Sequence, residues 1–164
     1  MDVMKTIKER RSIRNYKDKD VTRSQIKKLL DAARWAPSAS NNQPWEFIVI
    51  RDKQIKAEIA RIKGQQFIAE TPVVIAFVTS PRTSHFHKVD GSLATQNFQL
   101  AAWEMGLGTC WIGTFDRKKV KQLLNVPEEK HLLTVMPLGY PAEEGHSTRK
   151  PLQKSIYWNK YGKT

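Results

Sequence analysis

Three arginines and a serine lie within five residues near the start of the chain, at Arg10, Arg11, Ser12 and Arg14. A guanidinium is planar and permanently charged, so it can hold a phosphate or the charged edge of a ring through paired hydrogen bonds. In an extended segment alternate side chains point the same way, which puts Arg10, Ser12 and Arg14 on one wall. That spacing suits a long anionic ligand. The alternative left open is a solvated basic turn after a helix.

A second group of polar residues lies between Pro37 and Trp45, in the sequence Pro-Ser-Ala-Ser-Asn-Asn-Gln-Pro-Trp. Consecutive serine, asparagine and glutamine side chains are poor material for a core or a helix. Between two prolines they form a loop that presents several donors and acceptors, which could face a heteroaromatic ring. A proline-bounded surface turn is the alternative.

Two further segments could add to such a site. Glycines flank the stretch from Gly106 to Thr114, so its backbone amides can approach another surface and donate to a ring nitrogen. The alternative is a helix end followed by a plain buried strand. Near the C-terminus, Arg149 and Lys150 offer two more cations, or else belong to a disordered basic tail.

The first half of the chain contains two capped helices and two apolar strands. Residues 3 to 10 favour a helix with Asp2 as its N-cap, and Thr22 with Gln25 forms a capping box before a second helix that Pro37 stops. Its apolar face comprises Ile26, Leu29, Leu30 and Ala33. Residues 45 to 50 and 73 to 78 are typical of buried strands, with a short helix expected between them.

The second half predicts a long helix that begins at Asp90 or Ser92, runs to Met105 and ends at Gly106. A strand over 108 to 112, a helix capped by Asp116 and a last strand over 132 to 138 follow. Helices and strands do not alternate strictly, so we expect an α+β three-layer fold with a mixed β-sheet flanked by helices. The chain has no G-x-G-x-x-G sequence, which argues against a dinucleotide-binding Rossmann domain.

Composition narrows the class further. A chain of 164 residues with a single cysteine predicts one domain, residues 1–164, with Cys110 packed rather than reactive. The longest apolar run, residues 73 to 78, is too short to span a bilayer, and we expect a soluble, cytoplasmic protein that binds no membrane. The histidines show no metal-ligand spacing. The net charge of +12 could attract nucleic acid, but the lysines are scattered along helices, and we expect no nucleic-acid partner.

Together the four segments resemble the nitroreductase family of FMN-dependent oxidoreductases, in their order and roughly in their separations. The resemblance runs over nearly the whole chain, from Arg10–Tyr16 through residues 36–45 and Gln96–Asn97 to Gly106–Gly108 and Arg149–Leu152. It implies a homodimer with FMN at the subunit interface. The residues that it assigns to FMN are Arg10, Arg11, Ser12, Arg14 and Arg149, then Pro37, Ser38, Ala39 and Asn41 from the partner subunit, and finally Ile112, Gly113, Thr114 and Gln65 or Gln66, of which we take Gln66.

The resemblance also implies a ping-pong reaction. NADH or NADPH would deliver hydride to flavin N5 and leave, and an electron-poor acceptor such as a nitroaromatic or a quinone would replace it. No catalytic acid or base is implied, and Arg14 is the candidate for tuning the reduced flavin. Trp111 could narrow the pocket, and the short 80–89 segment leaves little room for a lid. The alternatives are a flavin carrier or sensor without turnover and a basic nucleic-acid-binding protein.

Overall fold

Six α-helices and four β-strands make up the described part of this computed structural model, which covers residues 2–163. In chain order they are α1 (Val3–Glu9), α2 (Arg23–Arg34), β1 (Trp45–Ile50), α3 (Lys53–Lys63), α4 (Phe67–Glu70), β2 (Val73–Thr79), α5 (His87–Glu104), β3 (Gly108–Thr109), α6 (Arg117–Leu123) and β4 (His131–Gly139).

The strands form one sheet in the order β1-β2-β4-β3, in which neighbouring strands are antiparallel. A parallel contribution comes from an isolated bridge between Ser12 and Thr109, so the sheet is mixed at the β3 edge. The arginine-rich segment is therefore attached directly to the sheet rather than carried by a free turn.

Helices cover both faces of the sheet, which confirms the three-layer α+β fold. Strand β2 alternates between two apolar cores, with Val73, Ile75 and Phe77 in one and Val74, Ala76 and Val78 in the other. The first core packs against α2 and α5, and the second against α3, α4 and α6. Because side chains alternate across a strand, a strand such as β2, which is apolar on both faces from Val73 to Val78, must be covered on both sides.

Local signals in the sequence place most helix ends correctly. Thr22 and Gln25 form the predicted capping box, and the side chains of Asp2 and Asp116 cap α1 and α6. Gly106 follows α5 with φ of +71°, the left-handed conformation that glycine adopts without a steric penalty.

The predicted start of the long helix is wrong. Helix α5 begins at His87, before both Asp90 and Ser92, and the residue at its N-cap position is Phe86, whose side chain makes no capping hydrogen bond. The hydroxyl of Ser84 accepts from the Phe86 amide instead, at 3.1 Å. Asp90 lies inside the first turn of α5, and its carboxylate accepts hydrogen bonds from groups outside the helix.

Three smaller differences concern element lengths. Two helices, α3 and α4, occupy the space between β1 and β2 where one short helix was expected. Strand β3 stops at Thr109, and Ile112 joins the sheet again only through a bridge to Val135. Helix α1 ends at Glu9, and Arg10 is its C-cap residue. Within residues 2–163 no helix is both long and apolar enough to span a membrane.

Candidate functional site

The segment that follows α1 is held against the edge of the sheet. The Ile13 amide donates to the Thr109 carbonyl at 2.9 Å, next to the Ser12–Thr109 bridge. The Ile13 side chain is fully buried, and a Cβ at Gly108 would lie only 2.6 Å from Ile13 Cγ1. A glycine at position 108 is therefore what lets this segment approach β3 so closely.

Contacts from elsewhere in the chain fix the other side of the segment. One carboxylate oxygen of Glu143 accepts from the amides of Arg14 at 2.5 Å and Asn15 at 3.1 Å. The Tyr16 hydroxyl donates to the Ile13 carbonyl at 2.6 Å, and burial raises the pKa of Tyr16 far above its usual range. Nothing in the local sequence around Glu143 or Tyr16 indicates which backbone groups their side chains meet.

Three of the predicted guanidinium groups come together at this place. Burial, and after it the positive charges of Arg149 and Arg11, lower the pKa of Arg10. Arg11 donates to the carbonyls of Lys8 at 2.5 Å and Arg10 at 2.9 Å, and Arg149 donates to the Thr148 carbonyl at 2.7 Å. The cluster of Arg10, Arg11 and Arg149 is called the arginine cradle below.

The arginine cradle has unused capacity for an anion. Among residues 2–163, Arg11 Nε is buried and makes no hydrogen bond. Gly145 packs so tightly on this side chain that a Cβ there would lie 2.5 Å from Arg11 Cβ. Like charges held close together are unfavourable unless an anion offsets them, and a phosphate dianion can accept several charge-assisted hydrogen bonds. The residues present therefore fit a phosphate group.

The stretch after β3 lies beside the same cluster. Cys110 is buried, which raises the pKa of its thiol, while the charges of Arg14 and Arg10 act in the opposite direction. The charges of both arginines therefore reach the buried thiol at this strand end. The buried thiol is packed rather than reactive.

Ile112, Gly113 and Thr114 leave the core in that order. Ile112 is buried and its carbonyl accepts from the Thr134 hydroxyl at 3.0 Å, whereas Gly113 and Thr114 are exposed. Arg117 donates to the Gly113 carbonyl at 2.7 Å. This leaves an exposed backbone segment at a fixed position. Trp111 is half-buried and packs against the core on the α2/α5 face.

The polar loop between the two prolines lies at the N-terminal end of α5. The Ser38 hydroxyl accepts from the Gln43 amide at 3.0 Å, and the Ala39 amide donates to Asp90 at 3.1 Å. Pro37 and Asn41 are exposed, and Asn41 has φ of +56°. The loop is an ordered polar surface, as predicted.

A single chain does not bring this loop to the arginine cradle. The cradle follows α1, where Thr6 donates to Glu104 at the C-terminal end of α5. At about 1.5 Å per residue, Asp90 and Glu104 are separated by roughly 20 Å along the helix axis. Gln66 lies at the start of α4, is exposed and makes no capping hydrogen bond.

His87, which is buried, and His131, which is half-buried, have structural partners. His87 Nδ1 and the Thr79 hydroxyl are 2.8 Å apart, and the His87 and His131 rings meet edge to face at 5.4 Å. Burial, reinforced by the charges of Lys88, His87, Arg117 and Lys121, lowers the pKa of His131 to about 4. No group of His, Cys, Asp or Glu within residues 2–163 could hold a metal ion.

Comparison with known proteins places this fold in a defined family. The family model described as the Nitroreductase family matches residues 7–73 and 62–140. The chain belongs to the nitroreductase family.

Individual relatives agree with this assignment. A protein of Methanothermobacter thermautotrophicus, assigned as an NADH dehydrogenase/NAD(P)H nitroreductase, is 39% identical over 87% of this chain and 79% of its own length. Among solved structures, the protein of Parabacteroides distasonis assigned in the same way has a TM-score of 0.91 and 32% identity, covering 97% of this chain and 98% of its own. An FMN-dependent nitroreductase of Clostridium difficile has a TM-score of 0.89 and 30% identity, covering 96% and 99%.

Proposed function

We propose that this protein carries hydride from NADH or NADPH to an electron-poor acceptor, such as a nitroaromatic or a quinone, in a ping-pong reaction on FMN. The family makes the protein an FMN-dependent NAD(P)H oxidoreductase. The order of the two half-reactions and the class of acceptor are the proposed part. When bound, FMN would supply the redox chemistry by accepting hydride at N5 and returning two electrons to the acceptor.

The observation that carries the proposal is the arginine cradle. Burial and the charges of Arg149 and Arg11 lower the pKa of Arg10, and within residues 2–163 Arg11 Nε is buried without a hydrogen-bond partner, so a bound phosphate would be favourable. We assign Arg10, Arg11 and Arg149 to the phosphate of FMN, and Ser12 to a ribityl or phosphate oxygen.

The rest of the ring would be held by backbone and by one cation. Arg14 is assigned to the pyrimidine edge, where a positive charge stabilises the anionic reduced flavin. Ile112, Gly113 and Thr114 are assigned to the side of N5, where their backbone would lie, and Gln66 is assigned to the pyrimidine edge. These residues would bind and orient the flavin, and none of them is assigned a proton transfer.

We propose that the protein acts as a homodimer and that Pro37, Ser38, Ala39 and Asn41 reach the flavin of the partner subunit. The distance of roughly 20 Å between this loop and the cradle along α5 supports this, since one chain cannot place both around one ring. Large apolar side chains are exposed on neighbouring elements, which is typical of a surface covered by a partner. They include Val3, Met4 and Ile7 of α1, Val89 and Leu93 of α5, and Leu152, Trp158 and Tyr161 near the C-terminus.

The first experiment is the visible absorbance of the purified protein after incubation with FMN and desalting, followed by anaerobic NADH and then NADPH. A retained flavin band that bleaches is expected, and the faster donor gives the preference. A retained band that neither donor bleaches would refute turnover and favour a carrier or sensor. No retained band, with salt-sensitive binding to nucleic acid, would overturn the proposal.

Arg149→Ala tests the assignment of the phosphate. Losing a charged hydrogen-bond donor should weaken FMN binding by about tenfold or more, measured by fluorescence titration. Riboflavin, which has no phosphate, should bind the variant as it binds the parent protein. The matched control is Arg61→Ala, which removes an exposed guanidinium on α3 that pairs with Glu58 at 2.5 Å. Equal losses of FMN and riboflavin affinity in Arg149→Ala would contradict the assignment.

Arg14→Ala tests the assignment of the pyrimidine edge. The variant should lower the rate of flavin reduction by NAD(P)H in stopped-flow measurements, or the affinity for flavin, because the reduced anion loses its nearest cation. Riboflavin affinity should change together with FMN affinity, in contrast to Arg149→Ala. Unchanged binding and turnover would count against this role.

A further inference from the structure

Asp90 joins three parts of the chain through one buried carboxylate. It lies in the first turn of α5 with only 3% of its surface exposed. One oxygen accepts from the Ala39 amide at 3.1 Å, and the other accepts from the Ser84 hydroxyl at 2.7 Å. None of the ion pairs within residues 2–163 includes Asp90. Its charge is therefore satisfied by neutral donors from two loops and by the favourable end of the helix dipole.

The loop that Asp90 reaches has a backbone that needs support. Ser40, Asn41 and Gln43 have φ of +50°, +56° and +47°, which residues with side chains seldom adopt. Such conformations persist only where surrounding contacts hold them. Hydrogen bonds inside the loop, including Asn41 amide to Ser38 carbonyl at 3.0 Å, shape the turn but do not attach it to the rest of the protein.

Two hydrogen bonds make that attachment. At the end of the loop the Ser80 amide donates to the Pro44 carbonyl at 2.9 Å, a backbone contact that connects the start of β1 with the end of β2. At the beginning, within residues 2–163, the Ala39–Asp90 bond is what links the loop to a side chain outside it. Ser84, 5% exposed, orients the same carboxylate. The Ser80–Pro44 contact joins two backbone groups, whereas the Ala39–Asp90 contact depends on a side chain and is removed directly by Asp90→Ala.

We propose that Asp90 is a positioning residue, which holds residues 37–41 in the conformation that faces the flavin of the partner subunit. It acts through the Ala39 amide and does not touch the cofactor. The inference rests on the proposed function, because that function assigns this loop to FMN. The order of action is therefore Ser84 to Asp90, Asp90 to Ala39, and the loop to the ring.

The test compares Asp90→Ala, Asp90→Asn and Ser84→Ala with the parent protein. Amide hydrogen exchange at Ala39, followed by NMR in the apoprotein, reports the anchor without any flavin. Titration with FMN and with riboflavin reports the site. Asp52→Ala is the matched control, because Asp52 also accepts two hydrogen bonds, from the amides of Gln54 and Ile55, at the start of a helix remote from the loop.

In Asp90→Ala we expect Ala39 exchange to rise, and affinity for both flavins to fall, by about tenfold or more. Asp90→Asn keeps an oxygen that can accept from Ala39 and should stay within about threefold of the parent protein. Asp52→Ala should lower the melting temperature without changing flavin affinity. If the role of Asp90 were purely structural, Asp90→Ala would give the same result as Asp52→Ala.

Unchanged Ala39 exchange in Asp90→Ala would overturn the anchor, and faster exchange with unchanged flavin affinity would overturn the positioning role. If Asp90→Ala does not fold, the two milder variants, Asp90→Asn and Ser84→Ala, test the proposal instead. Across the parent protein, Asp90→Asn and Ser84→Ala, flavin dissociation constants must then rise in the same order as the Ala39 exchange rates. A parent protein that retains no FMN would refute the proposed function itself, which the exchange data would not detect.

Discussion

Replacing Gly108 by alanine should loosen the contact between the arginine-rich segment and the sheet. The new Cβ would lie 2.6 Å from Cγ1, 2.8 Å from Cβ and 3.1 Å from Cγ2 of Ile13. Relaxed carbon contacts are about 3.5–4.0 Å, so the two backbones must separate by roughly 1 Å. Ile13 is fully buried and β-branched, so its side chain cannot turn away.

The expected cost follows from that displacement. Overpacking of this kind costs about 1–3 kcal/mol. In a chain of this size each kcal/mol lowers the melting temperature by roughly 2–4 °C, which predicts a decrease of about 2–12 °C. The Ile13–Thr109 hydrogen bond, 2.9 Å long, should lengthen at the same time, and FMN affinity should fall because the flanking arginines move with the segment.

The assay is thermal unfolding of the apoprotein followed by circular dichroism, with Gly113→Ala as the control. A Cβ at Gly113 meets nothing closer than 3.8 Å, so that variant should stay within about 0.5 kcal/mol of the parent protein. In an Ile13→Ala background, the cost of Gly108→Ala should shrink, since two of the three close atoms are gone. A Gly108→Ala protein that melts with the Gly113→Ala control would refute the reasoning.

Three further predictions concern stability and reactivity. Thr22→Ala removes the capping box of α2 and should lower the free energy of unfolding by about 1 kcal/mol, measured by urea denaturation; no loss would contradict the capping role. His131 has a pKa of about 4 when folded and about 6.5 when unfolded, so the unfolded state binds more protons between these values. Stability should therefore fall by about 2 kcal/mol, allowing for partial exposure of the ring, as the pH drops from 6.5 to 4; His131→Gln should flatten this slope in urea titrations, and an equal slope would exclude His131 as its source. Cys110 is buried with a raised pKa, so iodoacetamide at neutral pH should label it only after unfolding, as mass spectrometry of native and denatured samples would show; rapid native labelling would argue against the packed thiol.

Features fixed by neighbouring residues were predictable from the sequence. The Thr22 capping box and the Asp116 cap depend on hydrogen bonds that span three residues. The residue types at that spacing therefore indicate these caps in the sequence. Asp90 was misplaced for the opposite reason. It has the side chain of an N-cap, but its carboxylate bonds to Ala39, which lies 51 residues away in the sequence. Tertiary contacts override a local preference in such cases.

Some features of the candidate site were likewise predictable from the sequence, and others were not. The residue types of Arg10, Ser12 and Arg14 predicted an anion-binding group, and in the structure burial and the positive charges of Arg149 and Arg11 lower the pKa of Arg10. The contact of Glu143 with the Arg14 amide joins positions 129 residues apart and carries no periodic signal. Gly145 is needed only because Arg11 packs on it, which composition cannot reveal. Nor could spacing alone show that α5 separates the polar loop from the cradle.

That separation along α5 has a genetic consequence in the proposed homodimer. Each site would combine the cradle of one subunit with the loop of the other, so a defect in the cradle and a defect in the loop would damage different halves. When Arg149→Ala and Asp90→Ala subunits are combined, one of the two sites in the mixed dimer would receive two sound halves. Random exchange of subunits would then return about a quarter of the sites to the normal composition. Two alleles that each impair flavin binding would thus complement each other.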